Sequence, residues 1–118
     1  MKMQNTVVLL LCVVIGPACS SLTSYHVDAH NGTGNTIDHA RVVLSSGKEF
    51  SWGAMNPGVD AGMWPMPGPL GRRATVRWRD EEGVEHSQDV DLPATGMWNA
   101  VKFVLKPDGT VAVETRWR

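Results

Sequence analysis

Twelve glycines and seven prolines break this chain of 118 residues so often that long helices have no room to form. Short strands fit between the breaks, and the residues there alternate as strands require. From Ser24 onward, Tyr25, Val27 and Ala29 share one face, while Ser24, His26, Asp28 and His30 share the other. Asn31-Gly32-Thr33-Gly34-Asn35 then turns the chain. Residues 37–45 repeat the pattern, with Ala40, Val42 and Leu44 as the inward series. Ser46-Gly47 leads into residues 48–53, where Phe50 and Trp52 share a face. These first three strands are expected to form a meander.

Two hairpins define their own register. Residues 73–80 place Ala74, Val76 and Trp78 inward and Arg73, Arg77 and Arg79 outward. Glu81-Glu82-Gly83 forms a three-residue loop with glycine where a left-handed residue is needed. Pairing Asp80 with Val84 sets Trp78 opposite His86, Ala74 opposite Val90, Arg79 opposite Glu85 and Arg73 opposite Asp91. Both charge pairs are complementary, which supports that register over a shifted one. The last hairpin turns at Pro107-Asp108-Gly109, with Val101, Phe103 and Leu105 facing Thr115, Val113 and Val111. Lys102 then faces Glu114 on the wet side.

Between the meander and the hairpins, residues 53–72 break the alternation. Pro57, Pro65, Pro67 and Pro69 stand among five glycines, with Met55, Met63, Met66 and Trp64 between them. That proline spacing excludes a helix or a central strand. A long loop that carries the chain between two sheets is the expectation. About seven short antiparallel strands in roughly 100 residues predict a single small all-β sandwich, immunoglobulin-like in architecture, with a small closed barrel as the alternative. The Cys-Trp-Cys pattern of true immunoglobulin domains is absent, so only the architecture is implied.

The first eighteen residues belong to another plan. Lys2 supplies a positive charge, and residues 6–15 (TVVLLLCVVI) are apolar throughout. Ten residues are too few to span a bilayer, which takes about 18 or more. A charged start, a short apolar core and a small-residue exit make a secretory signal peptide. At its end stands Gly16-Pro17-Ala18-Cys19-Ser20-Ser21. Ala18 before Cys19, with the apolar run upstream, resembles the lipobox of bacterial lipoproteins, although Gly16 stands where a leucine is usual and Pro17 is an unusual neighbour. The resemblance implies cleavage before Cys19, acylation of its thiol and a stable hold on the bilayer. Ser20 after the cysteine implies the outer membrane, facing the periplasm. The competing reading is ordinary cleavage after Ser20, giving a periplasmic or secreted product. The expected division is a signal peptide over 1–18, a lipidated tether over 19–23 and a sandwich over 24–118. Cys12 leaves with the leader, so Cys19 is the sole thiol beyond it and no disulfide is expected.

Charge and motifs narrow the function. Losing Lys2 takes the net charge from −1 to −2, which is no footprint for nucleic acid. No cofactor loop or nucleophile elbow is present. The carboxylates Asp80, Glu81, Glu82 and Glu85 cluster at a hairpin tip where solvated groups of ordinary pKa are expected. An enzyme is therefore not expected. His26-x-Asp28-x-His30 sets its histidines roughly 13 Å apart along a strand, too far for one metal ion. His39 and His86 are read as solvated surface residues. The remaining expectation is a non-enzymatic binding or assembly module acting on an envelope protein partner through residues 53–72. Met63, Trp64 and Met66 are its anchors, with Trp98 beside them. An inhibitor or immunity protein against an envelope enzyme is a version of the same reading. A weaker alternative is a Cu(I) site at Met63 and Met66, since thioethers suit that ion. The opposing view makes Met55, Met63, Trp64 and Met66 a plug for one end of the sandwich.

Overall fold

Alternation becomes burial along the first strand: between Ser24 and Asn31 every second side chain is buried, from Tyr25 to Asn31 itself. The computed structural model describes residues 24–94 and 96–117, the side chain of Trp64 excepted. The expected signal peptide, the tether and Cys19 lie outside the described residues. Among the described residues eight strands follow one another: β1 (Ser24–Asn31), β2 (Ile37–Leu44), β3 (Glu49–Met55), β4 (Asp60–Pro67), β5 (Arg73–Arg79), β6 (Glu85–Asp91), β7 (Ala100–Leu105) and β8 (Val111–Arg116). They form two sheets, in the orders β4-β1-β7-β8 and β3-β2-β5-β6. The inner faces of the two sheets supply one core, whose largest fully buried side chains are Trp78, Phe50 and Phe103. The all-β sandwich is present.

Three details differ from the sequence reading. The described residues form eight strands, because residues 60–67 are a strand and not part of a loop. One pairing is parallel: β1 runs beside β7, from His26↔Ala100 to Asn31↔Leu105. The expected meander is also broken, since β1 and β2 lie in different sheets. Of these first three strands, β2 and β3 alone pair as a hairpin. Residues 53–72 do carry the chain between sheets, but they do so twice, with β4 in between.

Both later hairpins have the registers deduced from charge matching. Arg73 stands opposite Asp91, Trp78 opposite His86 and Arg79 opposite Glu85. The Asp80 amide donates to the Val84 carbonyl at 3.0 Å. Lys102 stands opposite Glu114, and Phe103 opposite Val113. Local complementarity was sufficient here because each pair is closed by a short turn.

Two bulges admit residues that strict alternation would turn outward. In β2 the register slips between Ile37 and Ala40, so that Asp38 and His39 share the place of one residue. His39 takes a left-handed conformation, φ 54°, and both Ile37 and Ala40 end up buried. In β4 the slip lies between Met63, opposite Val27, and Met66, opposite Tyr25. Trp64 and Pro65 occupy that bulge. Pro65 and Pro67 alternate with Met66, so their missing N–H groups fall on the side away from β1, where an edge strand loses no ladder bond.

The step from one sheet to the other is made at Asn31. Among the described residues it is the one buried polar residue, with no exposed surface. Its Nδ2 donates to the carbonyls of Asn35 at 2.8 Å and Met55 at 2.9 Å. Its Oδ1 accepts from the Thr33 amide at 3.1 Å and hydroxyl at 2.7 Å. The next residue, Gly32, donates to the Leu105 carbonyl at 2.8 Å, and a Cβ there would collide with that oxygen. Asn31→Ala leaves buried carbonyls and an amide without partners. A loss of about 2–3 kcal/mol, roughly 10–20 °C in Tm, is expected in thermal melts.

Candidate functional site

Strands β3 and β4 are the margins of their sheets, and they meet along one open side of the sandwich. Phe50 and Trp52, two residues apart on β3, face inward with their rings stacked at 6.1 Å. Phe50 is buried, whereas Trp52 is half-buried. On β4, Ala61 and Met66 pack against the core edge. Met63 stands opposite buried Val27, yet it is 39% exposed because β4 ends its sheet. The result is an apolar margin of Trp52, Ala61, Met63 and Met66. Among the described residues no acceptor meets the buried Trp52 Nε1, a cost of about 1–3 kcal/mol for such a group. The sequence reading put Trp52 on a face with Phe50 and assigned it no role. Its position beside β4 depends on the crossover and could not be read locally.

The other expected site residues separate. Trp64 lies in β4 at the bulge, its side chain outside the description. Trp98 is a core residue, 2% exposed, tilted against Tyr25 with ring centroids 5.4 Å apart. Its Nε1 donates to the Pro93 carbonyl at 3.3 Å. It therefore presents no surface to a partner, and neighbouring Met97 takes the exposed position at 85%. Met55 is buried opposite Ile37, at the end of the sandwich away from Met66, so the methionines do not form one plug. Leu70, Leu92 and Trp98 close the end near Tyr25 instead. Met66 is half-buried against the core whereas Met63 is 39% exposed, so the two thioethers have different surroundings.

The outer face of the first sheet is charged in rows. Gly62, Asp28, Lys102 and Glu114 line up across β4, β1, β7 and β8. Gly62 permits this, since a Cβ there would overlap the Asp28 carboxylate. In the next row His30 Nδ1 meets Asp60 Oδ1 at 2.5 Å, and Lys102 Nζ reaches Asp60 Oδ2 at 3.5 Å. The His30 hydrogen bond, helped by Lys102, holds the Asp60 carboxyl below its ordinary value. A shallow cavity of about 110 Å³ lies between Asp28, Lys102, Glu114 and Arg116. Asp28 and His30 of His26-x-Asp28-x-His30 thus stand in two adjacent polar rows. Among the described residues no three His, Cys, Asp or Glu side chains converge as a metal set.

A second polar cluster sits at the β5–β6 turn. Asp80 Oδ1 accepts the amides of Glu82 and Val84, each at 2.9 Å. Its Oδ2 meets His86 Nε2 at 2.9 Å, and the His86 ring stacks on Trp78 at 5.2 Å and 10°. The His86 bond first, then the two amides, hold the Asp80 carboxyl below its ordinary value. This corrects the expectation at Asp80, and His86 is half-buried rather than fully solvated. The register already put His86 over Trp78, which was the available signal. The diagonal contact to Asp80 was not readable from opposed pairs alone.

No family model matches this chain, and no curated protein matches it. Among solved structures, an NMR structure of a protein from Eubacterium rectale has a similar fold, with a TM-score of 0.58 at 12% identity, covering 80% of this chain and 90% of that one. At that identity the likeness establishes fold alone. Among the described residues no helix is long and apolar enough to cross a membrane.

Two outcomes follow from these contacts. Trp98→Ala empties a buried ring site and is expected to cost about 3–5 kcal/mol in chemical denaturation. Asp60, Asp80 and Asp108 all have carboxyls held low in the folded state, Asp108 chiefly by Thr110. Their stabilisation is complete above the ordinary carboxylate range and is lost as pH falls through the lowered values. Thermal melts should therefore be insensitive to these groups near neutrality and fall below about pH 4. Asp80→Asn should flatten that acid limb.

Proposed function

We propose that this chain is an exported bacterial lipoprotein, anchored through acylated Cys19, that binds a protein partner in the envelope without catalysis. Its contact surface is the β3–β4 margin. The observation that carries this reading is Met63, 39% exposed on the edge strand β4, beside a margin where Trp52 and Met66 are half-buried. Apolar side chains that project from a rigid strand cost little ordering entropy on binding. Methionine and tryptophan are enriched at the cores of interfaces. The prolines at 65 and 67 remove two outward donors, so recognition falls to side chains more than to an added strand. A partner whose activity is blocked on binding would make the protein an inhibitor, on the same surface.

The reading is tested in cells with a photo-crosslinking residue near β4, followed by mass spectrometry of the membrane fraction. Met63→Glu should abolish capture of a specific envelope protein while shifting Tm by no more than about 2 °C, as expected for an exposed site. Capture that is indifferent to Met63→Glu and to Trp64→Ala would sink the proposed surface. Separately, Cys19→Ala should abolish incorporation of labelled palmitate and release the protein from the membrane fraction.

A further inference from the structure

The two ends of the sandwich differ in charge. Strand directions gather at one end the start of β1, the connections 45–48, 68–72 and 92–99, and Trp117 just past β8. Those connections contain Lys48 and Arg72 and no carboxylate. Glu49 and Asp91 stand on strand ends there, Asp91 in an ion pair with Arg73 at 3.4 Å. At the opposite end, the connections 32–36, 56–59, 80–84 and 106–110 carry Asp80, Glu81, Glu82 and Asp108 against Lys106.

The cationic end also holds Met97, 85% exposed, and Trp117, 67% exposed, the two most exposed large apolar side chains among the described residues. The Asn99 amide donates to the Arg116 carbonyl at 3.1 Å, which keeps the segments bearing Met97 and Trp117 side by side. Arg116 itself is exposed.

We infer that this end docks on an anionic lipid bilayer, with Met97 and Trp117 in the headgroup–acyl boundary and Lys48, Arg72 and Arg116 against lipid phosphates. The inference rests on the reading that Cys19 is acylated. Five residue steps separate Cys19 from Ser24, a reach of about 18 Å at most when fully extended. The end of the domain at which β1 begins is therefore held close to the bilayer surface. Indole rings favour that boundary because they join an apolar body to a polar N–H. Cations gain from anionic headgroups only within about a Debye length, near 10 Å, which the tether permits. The acidic end then points away from the membrane, and the β3–β4 margin stands upright along the side.

The test uses the cell-processed protein, purified in detergent and reconstituted into vesicles with or without phosphatidylglycerol. Intact mass reports the acylation of Cys19 independently. Lipids brominated near the headgroup should quench tryptophan fluorescence in phosphatidylglycerol vesicles. That quenching should be largely lost in Trp117→Phe and reduced by added salt or by Arg72→Gln with Arg116→Gln. Loss in Trp117→Phe supports the docking face whether or not Cys19 is acylated, and an unmodified Cys19 would then remove the anchor alone. Equal quenching in wild type and Trp117→Phe on an acylated protein overturns the docking face and leaves the anchor. Quenching indifferent to lipid charge and to the arginines also overturns it, and assigns Met97 and Trp117 to a protein contact.

Discussion

The fold depends on one buried carboxamide. Asn31 ends β1, and its side chain holds the turn at Thr33 and Asn35 together with the last carbonyl of β3. Its backbone meets Val59 and Gly58 in the connection to β4. Gly32 beside it is bonded to the end of β7. The end of β1, two connections and the ends of two more strands are therefore joined at one point, where the chain leaves one sheet for the other. A buried amide can supply two donors and two acceptor positions in fixed geometry, which neither an apolar nor a charged residue could do there. The Asn-Gly-Thr sequence at this corner also reads as a glycosylation sequon, but full burial gives it a structural role.

Irregularity elsewhere is confined to places where the sheets can absorb it. The β2 bulge returns Ile37 and Ala40 to the same side, so both enter the core. The β4 bulge accommodates Trp64-Pro65 on an edge, where a lost donor breaks no ladder. That edge position also keeps Met63 partly in water. A partly exposed apolar margin and a proline-broken strand thus share a cause: β4 has a neighbour on one side only.

Polar pairs on the surface set registers more than they add stability. Exposed ion pairs such as Arg79–Glu85 at 3.3 Å contribute little free energy. Their arrangement nevertheless agrees with the buried stripes behind them, from Trp78 under His86 to Phe103 opposite Val113. The Asp80 cluster links the two levels, because one carboxylate caps the turn and fixes the ring that lies over the core tryptophan.

Period-two burial and turn chemistry are local, and they were legible in the chain. The all-β class, the inward residues of β1, β2, β5 and β7, and both later hairpin registers depend on neighbours joined by short turns. The partner of β1 is not local. Nothing between Ser24 and Asn31 states that β7 will lie parallel to it, some seventy residues on, or that β2 will leave for the other sheet. Residues 60–67 look like loop because propensity penalises proline without knowing that the strand has a free side. Trp98 looked like a surface anchor because its burial comes from Tyr25, across the sheet. Tertiary packing decided these positions, since the free energy that places them comes from contacts between residues far apart in sequence.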